Sequence, residues 1–182
     1  MNDGPVWLPG ARRLASPNCD QRPPGTEIDL LVIHSISLPP GEFGGCWIDD
    51  LFLNRLDPAA HPYFETIHHF RVSAHLLIDR DGALTQYVPL DRRAWHAGRS
   101  CFDGREACND FSIGIELEGD DDTPFTDAQY HRLAAVTGEI MDRYPAITPA
   151  RITGHCHIAP ERKTDPGPLF EWQRYREAIT RR

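Results

Sequence analysis

The hydrophobic pattern changes period along this chain, and the changes mark out its elements. Residues 29–36 read D-L-L-V-I-H-S-I, a short apolar run that predicts a buried strand with His34 near its C-terminal end. Residues 72–78 predict a second strand. Asp81-Gly82 is a hairpin signal, and 83–88 returns as the partner strand. Residues 111–118 alternate strictly, with Phe111, Ile113, Ile115 and Leu117 on one face and Ser112, Gly114, Glu116 and Glu118 on the other. Over 126–144 the period lengthens to that of a helix. Tyr130, Leu133, Ala134, Thr137, Ile140, Met141 and Tyr144 form one stripe, Thr126 and Gln129 suit a capping box, and Pro145 stops the run. Short helices are expected at 47–53 and 61–70, and a short strand at 151–154. Pro168 suits the first turn of a last helix that turns Trp172, Tyr175 and Ile179 inward. Strands mixed with helices in this order predict an α/β (α+β) fold, a single domain with a central mixed β-sheet flanked by helices. The Pro- and Arg-rich residues 1–27 are expected to pack on that domain as an N-terminal extension, leaving 28–182 as the domain proper.

Composition narrows the partners. At 182 residues the chain is long enough to bury a full core, and a formal charge of −8 argues against nucleic acid or an anionic membrane surface as partner. No run approaches the ~18–20 apolar residues of a membrane span. The first twenty residues are interrupted by Asp3, Pro5, Pro9, Arg12 and Arg13, so they lack the apolar core of a signal peptide. The five cysteines include no C-x-x-C pair, which favours reduced thiols and a cytoplasmic location.

The densest chemistry lies in residues 154–167, G-H-C-H-I-A-P-E-R-K-T-D-P-G. Pro160 and Pro166 oppose helix through its middle and end, so a structured loop is expected. His155 and Asp165 are two candidate metal ligands with Lys163 beside them, and His34 at its strand end is the best third. Catalytic zinc takes three such ligands and leaves one position for water, although this spacing is weaker evidence than a compact H-E-x-x-H. A metal-activated water needs a base. Glu116 is the choice, on a polar strand face otherwise small, with Glu118 as its rival. Lys163 suits a developing oxyanion. His157 is too close to His155 for an easy chelate, and Cys156 reads as a small buried thiol rather than a nucleophile.

These motifs carry a resemblance. The stretches V-I-H-S-I-S-L-P-P-G-E-F-G-G (32–45), D-P-A-A-H-P-Y-F (57–64), R-V-S-A-H (71–75), R-A-W-H-A-G (93–98), C-N-D-F-S-I-G-I-E-L-E-G (108–119) and 154–167 together resemble the zinc-dependent N-acetylmuramoyl-L-alanine amidases. That family also contains phage T7 lysozyme and the peptidoglycan-recognition proteins. Within it, the chain looks most like the cytoplasmic anhydro-muramyl-peptide amidases of cell-wall recycling. The resemblance implies an amidase or peptidoglycan-recognition-protein-like fold, with 28–182 as the zinc amidase catalytic domain. It implies one Zn2+ per chain on His34, His155 and Asp165, with Glu116 and Lys163 catalytic. It implies cleavage of the amide between the lactyl group of (1,6-anhydro)-N-acetylmuramic acid and L-alanine of the stem peptide, in muropeptide recycling that indirectly keeps β-lactamase induction low; a monomer is expected. Tyr63, Arg71 and Trp95 would line the substrate groove. Ser35 joins these substrate contacts at a position where relatives usually carry Asn, and Ala107 stands where they carry Arg in R-E-R-C-N-D.

Two other readings are open to the sequence. A binding module for peptidoglycan fragments usually lacks a metal ligand, and this chain keeps His34, His155 and Asp165. A periplasmic wall-degrading amidase of the same fold is opposed by the missing signal segment.

Overall fold

The computed structural model describes residues 4–181. Its ten strands are β1 (Arg12–Arg13), β2 (Cys19–Asp20), β3 (Leu30–Ile36), β4 (Leu76–Ile78), β5 (Leu84–Gln86), β6 (Arg93–Ala94), β7 (Cys101–Phe102), β8 (Arg105–Glu106), β9 (Ser112–Glu118) and β10 (Ile152–Gly154). Five α-helices are α1 (Trp47–Phe52), α2 (Pro62–Ile67), α3 (Asp127–Arg143), α4 (His155–Ile158) and α5 (Trp172–Thr180). Six strands form one sheet in the order β1-β5-β4-β9-β3-β10. The run from β4 through β9 and β3 to β10 is parallel, and β5 pairs antiparallel with β4, so the sheet is mixed.

The alternation of β9 divides the core. Ile113, Ile115 and Leu117 pack with Leu31, Ile33, Leu76 and Ile78 against Tyr130, Leu133, Val136 and Ile140 of α3 and Tyr175 and Ile179 of α5. The capping box of Thr126 and Gln129 is formed. Gln129 also spends its side-chain amide on the Glu118 carbonyl, 2.8 Å away, which ties the start of α3 to the end of β9. The opposite sheet face is covered by α1 and α2, through Ile48, Leu51, Phe52, Phe64 and Ile67 over Leu77.

Several elements are shorter than the pattern predicts. The strand expected over 72–78 is reduced to Leu76–Ile78, because backbone groups before it are committed elsewhere: the Val72 carbonyl accepts from Asn18, and the Ser73 N–H bonds the Trp95 carbonyl. The last helix begins at Trp172 and not near Pro168, since turns close at Gly167 and Phe170 first. The loop expected over 154–167 opens with one helical turn, His155–Ile158, which ends before Pro160.

The N-terminal residues do more than cover the domain. β1 extends the main sheet beside β5, and β2 pairs with β6. The Arg22 guanidinium donates to the carbonyls of Asn109, Asp110, Leu90 and Ser112 at 2.8–3.2 Å. Arg12 forks onto both carboxylate oxygens of Asp49 at 2.9 and 2.8 Å, and the Tyr87 hydroxyl donates to the same carboxylate, which fixes α1 to the sheet.

Candidate active site

The parallel strands deliver the chemistry at their carboxyl ends, where open sheets of this kind bind ligands. His34 lies near the end of β3, and Glu116 is its register partner on β9, so both side chains leave the same sheet face. His155 follows directly on β10, the other neighbour of β3. Asp165 returns to it through the loop that α4 begins, and the Cys156 N–H bonds the Asp165 carbonyl at 2.8 Å to close that loop.

Three atoms converge. His34 Nδ1 lies 3.0 Å from His155 Nδ1 and 3.0 Å from Asp165 Oδ2, and His155 Nδ1 lies 3.1 Å from the same carboxylate oxygen. The donor set has the chemistry of a metal site: two imidazole nitrogens and a carboxylate, each offering one atom to a common point. The three donor atoms lie within 4.8 Å of one another, and two imidazoles with one carboxylate are a donor set that zinc accepts. The cluster therefore suits a single Zn2+.

Burial sets the protonation. It lowers the His34 pKa to about 4 against the pull of Asp165, so the imidazole is neutral at pH 7, as a metal ligand must be. Burial would raise the Asp165 carboxyl, but the adjacent His155 and His34 rings hold it well below the usual range. Burial drives the Glu116 carboxyl well above its ordinary value, the charge of Asp165 adds to this, and Lys163 opposes it. Glu116 Oε2 is buried with no hydrogen-bond partner among the described residues. Its rival Glu118 is occupied: it accepts from the N–H groups of Gly44 and Arg80 and pins the loop after β3. His157 faces away from the cluster, with Nδ1 3.3 Å from the Gly154 N–H at the start of α4.

A groove of about 780 Å³ opens over the cluster. His34, Ser35, Glu116, His155, Lys163 and Asp165 line it together with Tyr63 and Trp95. Arg71 is not among the lining residues; its guanidinium rests on the carbonyls of His68 and Phe70 after α2. Leu51 and Phe52 of α1, Arg162 and the Asp120–Asp122 turn also line the groove, and sequence reasoning did not single them out. Asp120 and its neighbours follow β9 directly, so their position was implicit in the strand that carries Glu116. A second cavity of about 660 Å³ borders Ala107, Arg99, Ile158 and Arg162.

The profile of the N-acetylmuramoyl-L-alanine amidases matches residues 24–168. The chain belongs to this family. Among its relatives, the 1,6-anhydro-N-acetylmuramyl-L-alanine amidase AmpD of Citrobacter freundii is 64% identical over 174 residues, which is 96% of this chain and 92% of that protein. A crystal structure of a selenomethionine AmpD derivative superposes with a TM-score of 0.94 at 62% identity, covering 98% of this chain and 99% of the other. The amidase AmiD of Escherichia coli, solved with the substrate anhydro-N-acetylmuramic acid-L-Ala-D-γ-Glu-L-Lys, matches with a TM-score of 0.62 at 31% identity, covering 87% of this chain and 60% of that one. The family match bears out the amidase fold expected from the sequence, and the amidase match includes all three cluster residues.

Proposed function

We propose that this chain is a zinc amidase that hydrolyses the amide between the lactyl group of 1,6-anhydro-N-acetylmuramic acid and the L-alanine of the stem peptide, in the recycling of peptidoglycan. The observation that carries this reading is the meeting of His34, His155 and Asp165 in one groove, with a buried, unpartnered carboxylate in register beside His34. Identity of 64% to AmpD over nearly the whole chain supports the anhydro-muropeptide as substrate.

His34, His155 and Asp165 would hold a zinc ion, which would supply Lewis acidity and a water of lowered pKa. Glu116 accepts the proton of the attacking water and passes it to the leaving amine. Its raised proton affinity suits the first step, because a carboxylate of higher pKa draws the proton from water more strongly. Lys163 lines the groove with an ammonium that makes no hydrogen bond or ion pair within the described residues, free to face the developing oxyanion. Tyr63, Trp95 and Ser35 are assigned to substrate contact, and Arg71, between the lining residues Phe70 and Val72, to a stem-peptide carboxylate. Among the described residues no helix is long and apolar enough to cross a membrane, and we propose that the chain acts in the cytoplasm as a monomer.

The test joins metal content to turnover. Wild-type protein should hold one zinc per chain and release free peptide from anhydro-muramyl-tripeptide, and Asp165→Ala should lose zinc and turnover together. Tight muropeptide binding without turnover in fully zinc-loaded protein would replace this reading with that of a binding module.

A further inference from the structure

We propose that His96 is a positioning residue, which orients His34 so that its Nδ1 presents a lone pair to the metal, and that Gly114 is the seat that admits it. The inference rests on the zinc reading of His34, His155 and Asp165.

A histidine that binds a metal through one ring nitrogen carries its proton on the other, and the partner of that N–H decides the tautomer. For His155 the partner is plain: Nε2 lies 3.1 Å from the Ala97 carbonyl, which only accepts, so Nδ1 is the lone-pair atom. For His34 the partner is ambiguous when taken alone. Its Nε2 lies 2.9 Å from His96 Nδ1, and a neutral imidazole either donates or accepts there. The far end of the chain of hydrogen bonds settles the direction. Ser112 Oγ lies 2.6 Å from the Cys108 carbonyl and spends its only proton on it. His96 Nε2, 3.1 Å from that same Oγ, must therefore donate to it. Neutral His96 is then an acceptor at Nδ1, His34 Nε2 is the donor, and His34 Nδ1 is left bare. One backbone carbonyl, at Cys108, polarises the whole sequence of groups toward the metal cluster.

The sheet leaves room for this arrangement. Ser112, Gly114 and Glu116 share one face of β9, and the His96 ring spans the middle position. A Cβ on Gly114 would lie 2.5 Å from His96 Cγ and Nδ1 and 2.8 Å from Cε1, distances that no carbon tolerates. The three alternate positions thus hold the proton acceptor, the seat and the proposed base. The segment that carries His96 is itself held independently of any ion. The N–H groups of His96 and Ala97 both donate to Asn109 Oδ1, at 3.1 and 2.8 Å. One dipeptide therefore orients both histidine ligands, His34 through the side chain of residue 96 and His155 through the carbonyl of residue 97.

The test is zinc affinity in the full-length protein, measured by competition with a chelator, together with the nitrogen shifts of the His34 ring in zinc-loaded protein. His96→Phe keeps a ring but offers no acceptor, and His96→Asn restores an acceptor near the Nδ1 position. His96→Phe is expected to weaken zinc binding about 10–100-fold, the usual effect of losing such a partner, with His96→Asn recovering at least a third of the loss on a logarithmic scale. The zinc-free melting temperature should change little in either, which separates orientation of the ligand from general loss of fold. Ser112→Ala removes the group that sets the direction and should weaken zinc binding threefold or more. It decides the matter should His96→Phe not fold. Zinc affinity within threefold of wild type in folded His96→Phe, or in Ser112→Ala where that variant must decide, overturns the inference, as does a His34 ring bonded to zinc through Nε2. Wild-type protein that binds no zinc overturns the metal reading itself and this inference with it, whereas normal zinc binding in the variants overturns this inference alone.

Discussion

Neutralising Glu116 without changing its shape separates its chemistry from its packing. In Glu116→Gln the groove keeps its walls, but the group can no longer take a proton from water. A general base of this kind contributes about 10²–10⁴ to the rate, so kcat should fall by that factor while zinc content holds. Stability should move the other way. Glu116 is 9% exposed, and its Oε2 lacks a partner among the described residues. Its folded-state pKa is raised, chiefly by burial. A raised pKa means the folded, metal-free protein holds the proton more tightly than the unfolded chain. The stability from that proton is complete at low pH and is lost as pH rises through the folded pKa. The Gln variant has no such loss. Gln keeps a polar atom there but sheds the charge that burial disfavours, and each pKa unit of such a shift corresponds to about 1.4 kcal/mol. Since ~1 kcal/mol shifts the melting temperature of a chain this size by about 2–4 °C, zinc-free Glu116→Gln should melt several degrees above wild type at pH 8. The gap should shrink toward pH 5. Calorimetry of the zinc-free proteins across that range, with peptide release assayed on the zinc-loaded ones, measures both effects. A variant that keeps a tenth of wild-type kcat, or that melts below wild type at pH 8, would refute the assignment of Glu116 as a buried base.

Three more outcomes are expected. Burial, with the charge of Arg22, lowers His75 to about 3, and burial lowers His34 to about 4, so each folded-state histidine binds fewer protons than the unfolded chain between its own value and about 6.5. Their contribution is intact above pH 6.5 and is lost as pH falls; zinc-free Glu116→Gln, which lacks the opposing titration of Glu116, should lose about 2 kcal/mol per histidine at pH 5, and a flat urea-unfolding profile of that variant from pH 7 to 5 would contradict this. Ala107 sits at φ 58°, where a Cβ costs about 1–2 kcal/mol, so Ala107→Gly should raise the denaturation midpoint slightly, by up to about 1 kcal/mol once glycine's greater unfolded freedom is counted. Arg22→Met leaves four buried or half-buried carbonyls without this donor and should cost at least about 1–3 kcal/mol, the penalty for one buried acceptor left unsatisfied; an unchanged urea midpoint would show that water replaces the guanidinium.

Much of the site was legible because its residues lie on strong local patterns. The apolar run ending at His34 and the alternation through Glu116 fix which face each side chain takes, and parallel pairing then makes them neighbours. His155 and Asp165 were readable from the polar, proline-bounded loop that joins them. What the sequence withheld is pairing over distance. Nothing local marks Glu118 as the anchor of Gly44, or Asn109 as the holder of residues 96 and 97, because those bonds depend on where loops meet. The helical turn at His155–Ile158 was hidden by the prolines that follow it, which limit its length but not its start. The late start of the last helix has the same origin, since the Gly167–Phe170 turn is set by tertiary packing of Phe170 against Phe125 and Tyr130.

The N-terminal arm has a practical consequence for anyone cutting this chain. The family match begins at residue 24 and ends at 168. A fragment trimmed to those limits would discard β1, β2, Arg12, Arg22 and all of α5. It would bare the outer edge of β5, strip the counter-charge from Asp49, and free the carbonyls of residues 109 and 110, next to the side chain that steadies His96 and Ala97. The conserved profile and the folding unit are different objects here. An expression clone designed on the first would leave the metal ligands in the sequence while removing supports that hold them in register.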